Sequence, residues 1–239
     1  MTPPRRPRGL FTEITEGVYW FLVIDVLLVL AAAPSFLVWT LLTPGALSSP
    51  VFVLAALPML PGISAALYAC RVWREDRELA PARQFLRGYR LNAVDSLRVG
   101  TPVLLVLALA AFNLTSTGSH GALRISLLVV SAAALLVLAR VLAIVSSFSF
   151  RTRDAFGLTA FTLLAKPLST LALVSLGVLT LGIIVLIGEF LLLATASLLV
   201  FALWASERPV AALLTERFVD SAEPSEEGTA AEPHLPEGS

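Results

Sequence analysis

The chain of 239 residues is 57% hydrophobic and 14% charged, with a mean hydropathy of +0.85 and 17 basic residues against 17 acidic ones. Soluble domains are nearer to about 45–50% apolar and about 25% charged. The composition therefore excludes a disordered chain, a basic nucleic-acid-binding body and nearly every soluble enzyme, and it points to an all-α polytopic transmembrane bundle.

Residues 1–17 form a short N-terminus with Arg5, Arg6 and Arg8. A spanning helix needs roughly 20 mostly apolar residues, and six stretches qualify: 18–42, 51–72, 97–115, 125–147, 168–187 and 188–205. The first holds Asp25 and the small-residue run Ala31-Ala32-Ala33. Glu13 and Glu16 precede it and the apolar run continues to Leu42, so an uncleaved span is expected instead of a signal peptide. The second carries Pro58, Pro61 and Gly62, which break helical hydrogen bonds and predict a kink. Its Cys70, the one cysteine, reads as a small buried residue.

Between the second and third spans, residues 79–93 set Leu79, Ala82, Phe85, Leu86, Tyr89 and Ala93 at three- and four-residue spacing, with Arg83, Arg87 and Arg90 opposite. Pro81 suits a first helical turn. This spacing predicts an amphipathic helix lying on the cytoplasmic leaflet, its arginines against anionic lipid headgroups. A second, less charged helix is expected over 156–165, ending at Lys166-Pro167. The apolar run 168–205 is too long for one span, and Gly182, Gly188 and Glu189 mark a hairpin turn within it. Residues 207–239 read as an acidic disordered tail. Within it, 220–239 holds Asp220, Glu223, Glu226, Glu227, Glu232 and Glu237 and no Lys or Arg.

Six spans place fifteen basic residues on one side and only Arg124 on the other, with Arg140 inside the fourth span. Basic residues collect on the cytoplasmic side. Both termini are therefore expected in the cytoplasm and the chain in the inner (plasma) membrane.

The chain has no HExxH, CxxC, P-loop or GxGxxG pattern, so no catalytic residue, cofactor or metal is called for, nor any nucleic-acid partner. His120 falls in an outer loop and His234 in the tail. Three ionisable residues lie in or at the ends of spans: Asp25, Arg140 and Glu189. Glu189 sits at the outer turn. Asp25 and Arg140 each lie seven residues from the cytoplasmic end of their spans, about 10 Å deep at 1.5 Å per residue. Equal depth and opposite sign make them a candidate intramembrane ion pair, either a helix-packing tie or a substrate or proton site.

The run Ala31-Ala32-Ala33-Pro34, the segment Pro61-Gly62-Ile63-Ser64-Ala65-Ala66-Leu67-Tyr68, and Phe85, Tyr89 and Asn92 leading into the third span together resemble the YesL-like family of bacterial membrane proteins, in its actinobacterial form. The resemblance covers about residues 10–206. It implies a six-span bundle of unknown activity associated with carbohydrate uptake, and no catalytic residue. The expected function is a non-enzymatic accessory or regulatory partner of a sugar ABC importer. The alternative is a small-solute transporter using the kinked second span and the Asp25–Arg140 pair.

Overall fold

A computed structural model describes residues 10–43, 45–76, 80–116, 121–147, 152–186 and 188–218. Apart from short turns these are helical, in chain order α1 (Leu10–Leu41), α2 (Ser49–Leu54), α3 (Met59–Asp76), α4 (Pro81–Ser116), α5 (Ala122–Ser147), α6 (Thr152–Ala165), α7 (Pro167–Leu186), α8 (Glu189–Ala194) and α9 (Ala196–Phe218). Six helical segments are long and apolar enough to cross a membrane: Ile14–Leu41, Ser49–Arg74, Pro81–Ser116, Ala122–Ser147, Pro167–Leu186 and Ala196–Leu213.

At one end of the bundle the Trp39 indole donates to Phe52 O (2.8 Å), and Ser49 and Thr115 hydroxyls meet at 2.9 Å. These bonds tie the end of α1, the start of α2 and the end of α4 together. At the other end Arg71 Nη1 donates to Ser147 O (2.7 Å), joining the ends of α3 and α5. That bond satisfies one of the carbonyls a helix leaves open at its C-terminus. This second end carries the arginines of α3 and α4 and is called the basic end below.

One span is discontinuous, and another is preceded by a broken helix. The second span breaks into α2 and α3 through turns at 55–58, where bonds three residues apart replace the helical ladder (Ala56 N to Val53 O, Leu57 N to Leu54 O). Pro58 closes this break, while Pro61 lies in the first turn of α3, where proline is tolerated. Gly62 acts by its size. A Cβ there would lie 2.8 Å from Ala31 Cβ, so α1 and α3 cross in contact at that point. The hairpin turn falls at Gly188, whose φ of 108° suits glycine alone. Beyond it the short α8 is parted from α9 at Thr195, immediately before the sixth span.

The amphipathic stretch of 79–93 is helical from Pro81, with Arg83, Arg87 and Arg90 exposed as expected, but the buried face is turned from the expected one: Gln84, Phe85 and Gly88 are buried, while Ala82 and Leu86, expected on the apolar face, are exposed, and Leu79 lies outside the described residues. It is not a separate element. Its buried stripe runs on in phase through Ser96, Val99, Val103, Leu107 and Ala110, so one 36-residue rod of about 54 Å replaces the expected interfacial helix plus span. The apolar face is satisfied by α3, with Gly88 so close to Tyr68 that an added Cβ would lie 2.9 Å from its ring. The expected tail also begins later than the sequence implies, because α9 continues as helix through 207–218. The acidic residues 220–239, His120 and His234 lie outside the described residues.

Candidate functional site

α5 is the central helix at the basic end. It packs on α3, α4, α6, α7 and α9, and every residue of 140–146 is buried. Arg140 opens that segment with no exposed surface. Surrounded on every side, it cannot extend to a polar surface as an arginine on an outer face would, so it needs a partner inside. The partner is Glu207 of α9: Arg140 Nη2 lies 3.1 Å from Glu207 Oε1, with side-chain exposures of 0% and 6%. Arg140 Nη2 also donates to Ser169 Oγ of α7 at 2.8 Å. The Ser169 hydroxyl in turn has two acceptors in reach, Ser206 O at 2.8 Å and Glu207 Oε1 at 3.2 Å. One arginine thus joins α5, α7 and α9. Arg140 Nε and Nη1 and Glu207 Oε2 have no protein partner, so the cluster keeps donors and an acceptor for water or a small polar solute.

Asp25 is elsewhere. Its Oδ1 accepts from the backbone N–H of Ser197 at 2.7 Å. Ser197 is the second residue of α9, so Asp25, half-way along α1, caps the helix that restarts after the Thr195 break. A carboxylate there satisfies an open N–H and meets the positive end of the helix dipole. The expected Asp25–Arg140 pair is therefore corrected: each charge is answered by α9, at Ser197 and at Glu207. Ten residues of helix, about 15 Å, separate those two points. The depth argument failed because α1 begins at Leu10, eight residues before the apolar run, which moves Asp25 away from the basic end.

The two helix breaks, at 55–58 and at Thr195, lie close to one cavity. Met59 and Ile63 of α3, Leu192 and Leu193 of α8 and Ala196 of α9 face a common cavity of about 250 Å³ that α1 and α7 complete. Its one polar lining side chain, Thr180, bonds back to Leu176 O at 2.8 Å. The arginines predicted for headgroups, Arg83, Arg87 and Arg90, line an open groove of about 570 Å³ with Leu86 and Leu91. No group of three or more His, Cys, Asp and Glu able to hold a metal occurs among the described residues.

Glu207 and Ser197 are the residues the sequence reading missed. For Glu207 a signal existed: it falls on the buried stripe Val200, Leu203, Glu207, Val210. For Ser197 none did, because its backbone is what binds.

In comparison with known proteins, no family model, no curated protein and no solved structure matches the chain. The YesL-like resemblance therefore rests on its motifs alone.

Proposed function

We propose that the protein is a multi-pass inner (plasma) membrane protein with both termini in the cytoplasm, acting as a non-enzymatic accessory partner of an assembly such as a carbohydrate ABC importer. The observation that carries the docking role is α4. At about 54 Å it exceeds the ~40–45 Å of a whole bilayer with its headgroups. Counted inward from Ser116, a ~30 Å hydrocarbon core is used up after about 20 residues, near Leu97. Arg83 and Arg87 then stand some 15–20 Å further along the rod, past the headgroup layer. A rigid cationic face held off the membrane suits a protein partner better than a lipid surface. The intramembrane charges support the same reading, since Asp25 and Arg140 are both taken up in ties between helices.

The test is a photo-crosslinking amino acid placed at position 87 in living cells. An importer subunit among the products is the expected result. Products consisting of lipid alone would overturn the docking role. Reporter fusions at residues 120 and 239 check the topology, with the first expected outside and the second in the cytoplasm.

The transporter reading keeps one observation in its favour, the two helix breaks beside one cavity. Interrupted helices frame binding sites in secondary transporters. The apolar lining limits the solute to an apolar or amphipathic one. Flux of such a solute into vesicles holding the purified protein, lost when Ala196→Trp fills the cavity, would put this reading first.

A further inference from the structure

We propose that the cavity bounded by α1, α3, α7, α8 and α9 is a lipid-chain site, and that its occupant is an acyl chain of the surrounding bilayer, entering between α1 and α7. The inference goes beyond the accessory reading and rests on neither that reading nor the transporter one.

Depth is the first ground. Tyrosine and tryptophan collect at the two membrane–water interfaces. Tyr19 and Trp39 bracket the apolar run of α1. Their separation along the helix is about 30 Å, the hydrocarbon thickness of a bilayer. Leu28 and Ala32 line the cavity and follow Tyr19 by nine and thirteen residues. The cavity therefore lies in the middle of the hydrocarbon layer, where acyl chains are the solvent.

Access is the second ground. α1 packs on α3, α4, α8 and α9, and α7 packs on α5, α6, α8 and α9. Both lean on α8 and α9 without extended packing on each other. Val29 lines the cavity and is still 39% exposed. Val26 and Leu30 of α1 and Val178 and Leu179 of α7 are exposed as well. In a membrane these side chains meet lipid, so the cavity is continuous with the lipid-facing surface.

Shape and chemistry are the third. On α9 the lining is the stripe Ala196, Leu199, Val200 and Leu203, about 10 Å long and parallel to the helix. Thr180 is the one polar lining side chain, and its hydroxyl bonds back to Leu176 O. An ordered water needs two to four polar partners, so the cavity does not hold water. A partner helix, about 10–12 Å across, is too wide for it. An apolar cavity of ~150 Å³ takes the six carbons of benzene, so one of about 250 Å³ takes about ten carbons of a chain. Left empty, its walls would forfeit dispersion contacts. A chain restores them at the place where α7, the least buried of the six spans, needs a neighbour. The lipid then acts as part of the packing that holds α7 to the bundle.

The test uses the full chain in nanodiscs containing a phosphatidylcholine with a diazirine midway along one acyl chain. After photolysis, peptide mass spectrometry should find adducts at Leu28, Ala32 and Leu203, which are buried and line the cavity. Exposed Val26 and Val178 should be labelled too. Ala196→Trp fills the cavity and should cut the buried adducts about fivefold or more, since a close-packed interior leaves no room for a chain. The exposed adducts should not change. Should that variant fail to fold, Val29→Trp, at an already exposed position, closes the mouth and should give the same loss. Native mass spectrometry after purification in mild detergent should show a retained phospholipid, absent from both variants. Adducts confined to exposed positions, or buried adducts indifferent to both variants, would overturn the proposal. So would a different apolar compound retained in place of phospholipid, which would give the cavity to a solute and favour the transporter reading.

Discussion

Arg140 and Asp25 are opposite charges placed in the interior of the same bundle, and α9 answers both in different ways. Arg140 meets a side chain, the carboxylate of Glu207, with Ser169 alongside. Asp25 meets backbone, the N–H of Ser197 at a helix start created by the Thr195 break. The cation site is a charge pair in a fully enclosed segment, where each ion makes the burial of the other tolerable. The anion site is a cap, where a charge uses a helix end that would need a partner anyway. Removing either ion of a pair strands the other, whereas removing a cap loses one hydrogen bond and a dipole interaction. The two sites should therefore differ several-fold in sensitivity to mutation.

The largest expected effect is at the pair. Arg140→Gln or Glu207→Gln alone leaves one charge buried without its counterion, and each should destabilise by about 3–5 kcal/mol. The double variant should lose less than either single one. Thermal unfolding in detergent for the four proteins gives the coupling directly. Additive losses would mean that the charges do not depend on each other, and the contrast with Asp25 would collapse.

The cap comes next. Asp25→Ala removes the accepting oxygen and should cost about 0.5–2 kcal/mol, as N-cap substitutions do. Asp25→Asn keeps an accepting oxygen and should lose less. The pairing expected from sequence offers the opposite test. If Asp25 and Arg140 were partners, combining Asp25→Asn with Arg140→Gln would rescue stability. With about 15 Å of helix between their contacts, the losses should add within about 0.3–0.5 kcal/mol.

Ser169 tests how far the cation site is a network. Its hydroxyl accepts from Arg140 while donating toward Ser206 O or Glu207. Ser169→Ala should cost about 0.5–1.5 kcal/mol, the net worth of an ordinary hydrogen bond. A loss as large as that of Arg140→Gln would make Ser169, and not Glu207, the group on which the arginine depends.

What was readable in the sequence follows the same division between side chain and backbone. Six apolar runs give six spans, because a bilayer imposes length and composition directly. Pro58 announces the break in the second span. The break at Thr195 has no proline or glycine nearby in α8 or the first half of α9, so nothing in composition marks it. Glu207 was assigned to the tail because Ser206-Glu207-Arg208 looks like a polar flank, although its place on the buried stripe of α9 was there to be read. The continuity of α4 was hidden for a related reason. Arginines at 83, 87 and 90 suggest a surface helix, but the phase of the buried face from Phe85 to Ala110 never breaks. The stacking of Trp20 on Trp73, with ring centroids 4.8 Å apart, joins residues 53 positions apart, and no local pattern predicts it.

The smallest expected effect separates backbone from side chain at Asp25. Ser197 is fully buried; its N–H holds the carboxylate at 2.7 Å, and its hydroxyl faces the same carboxylate in a weaker contact. Ser197→Ala keeps that N–H and deletes only the weaker hydroxyl contact, so the loss should be smaller than that of Asp25→Ala and stay within about 1 kcal/mol. Ser197→Pro keeps a backbone angle compatible with the first turn of a helix but deletes the N–H. It should therefore reproduce the loss seen in Asp25→Ala. In the Ser197→Pro background, Asp25→Ala should then add almost nothing, because the bond it would break is already gone. A large loss from Ser197→Ala, or full additivity of the other two, would transfer the role from the backbone of the broken helix to some other partner of Asp25.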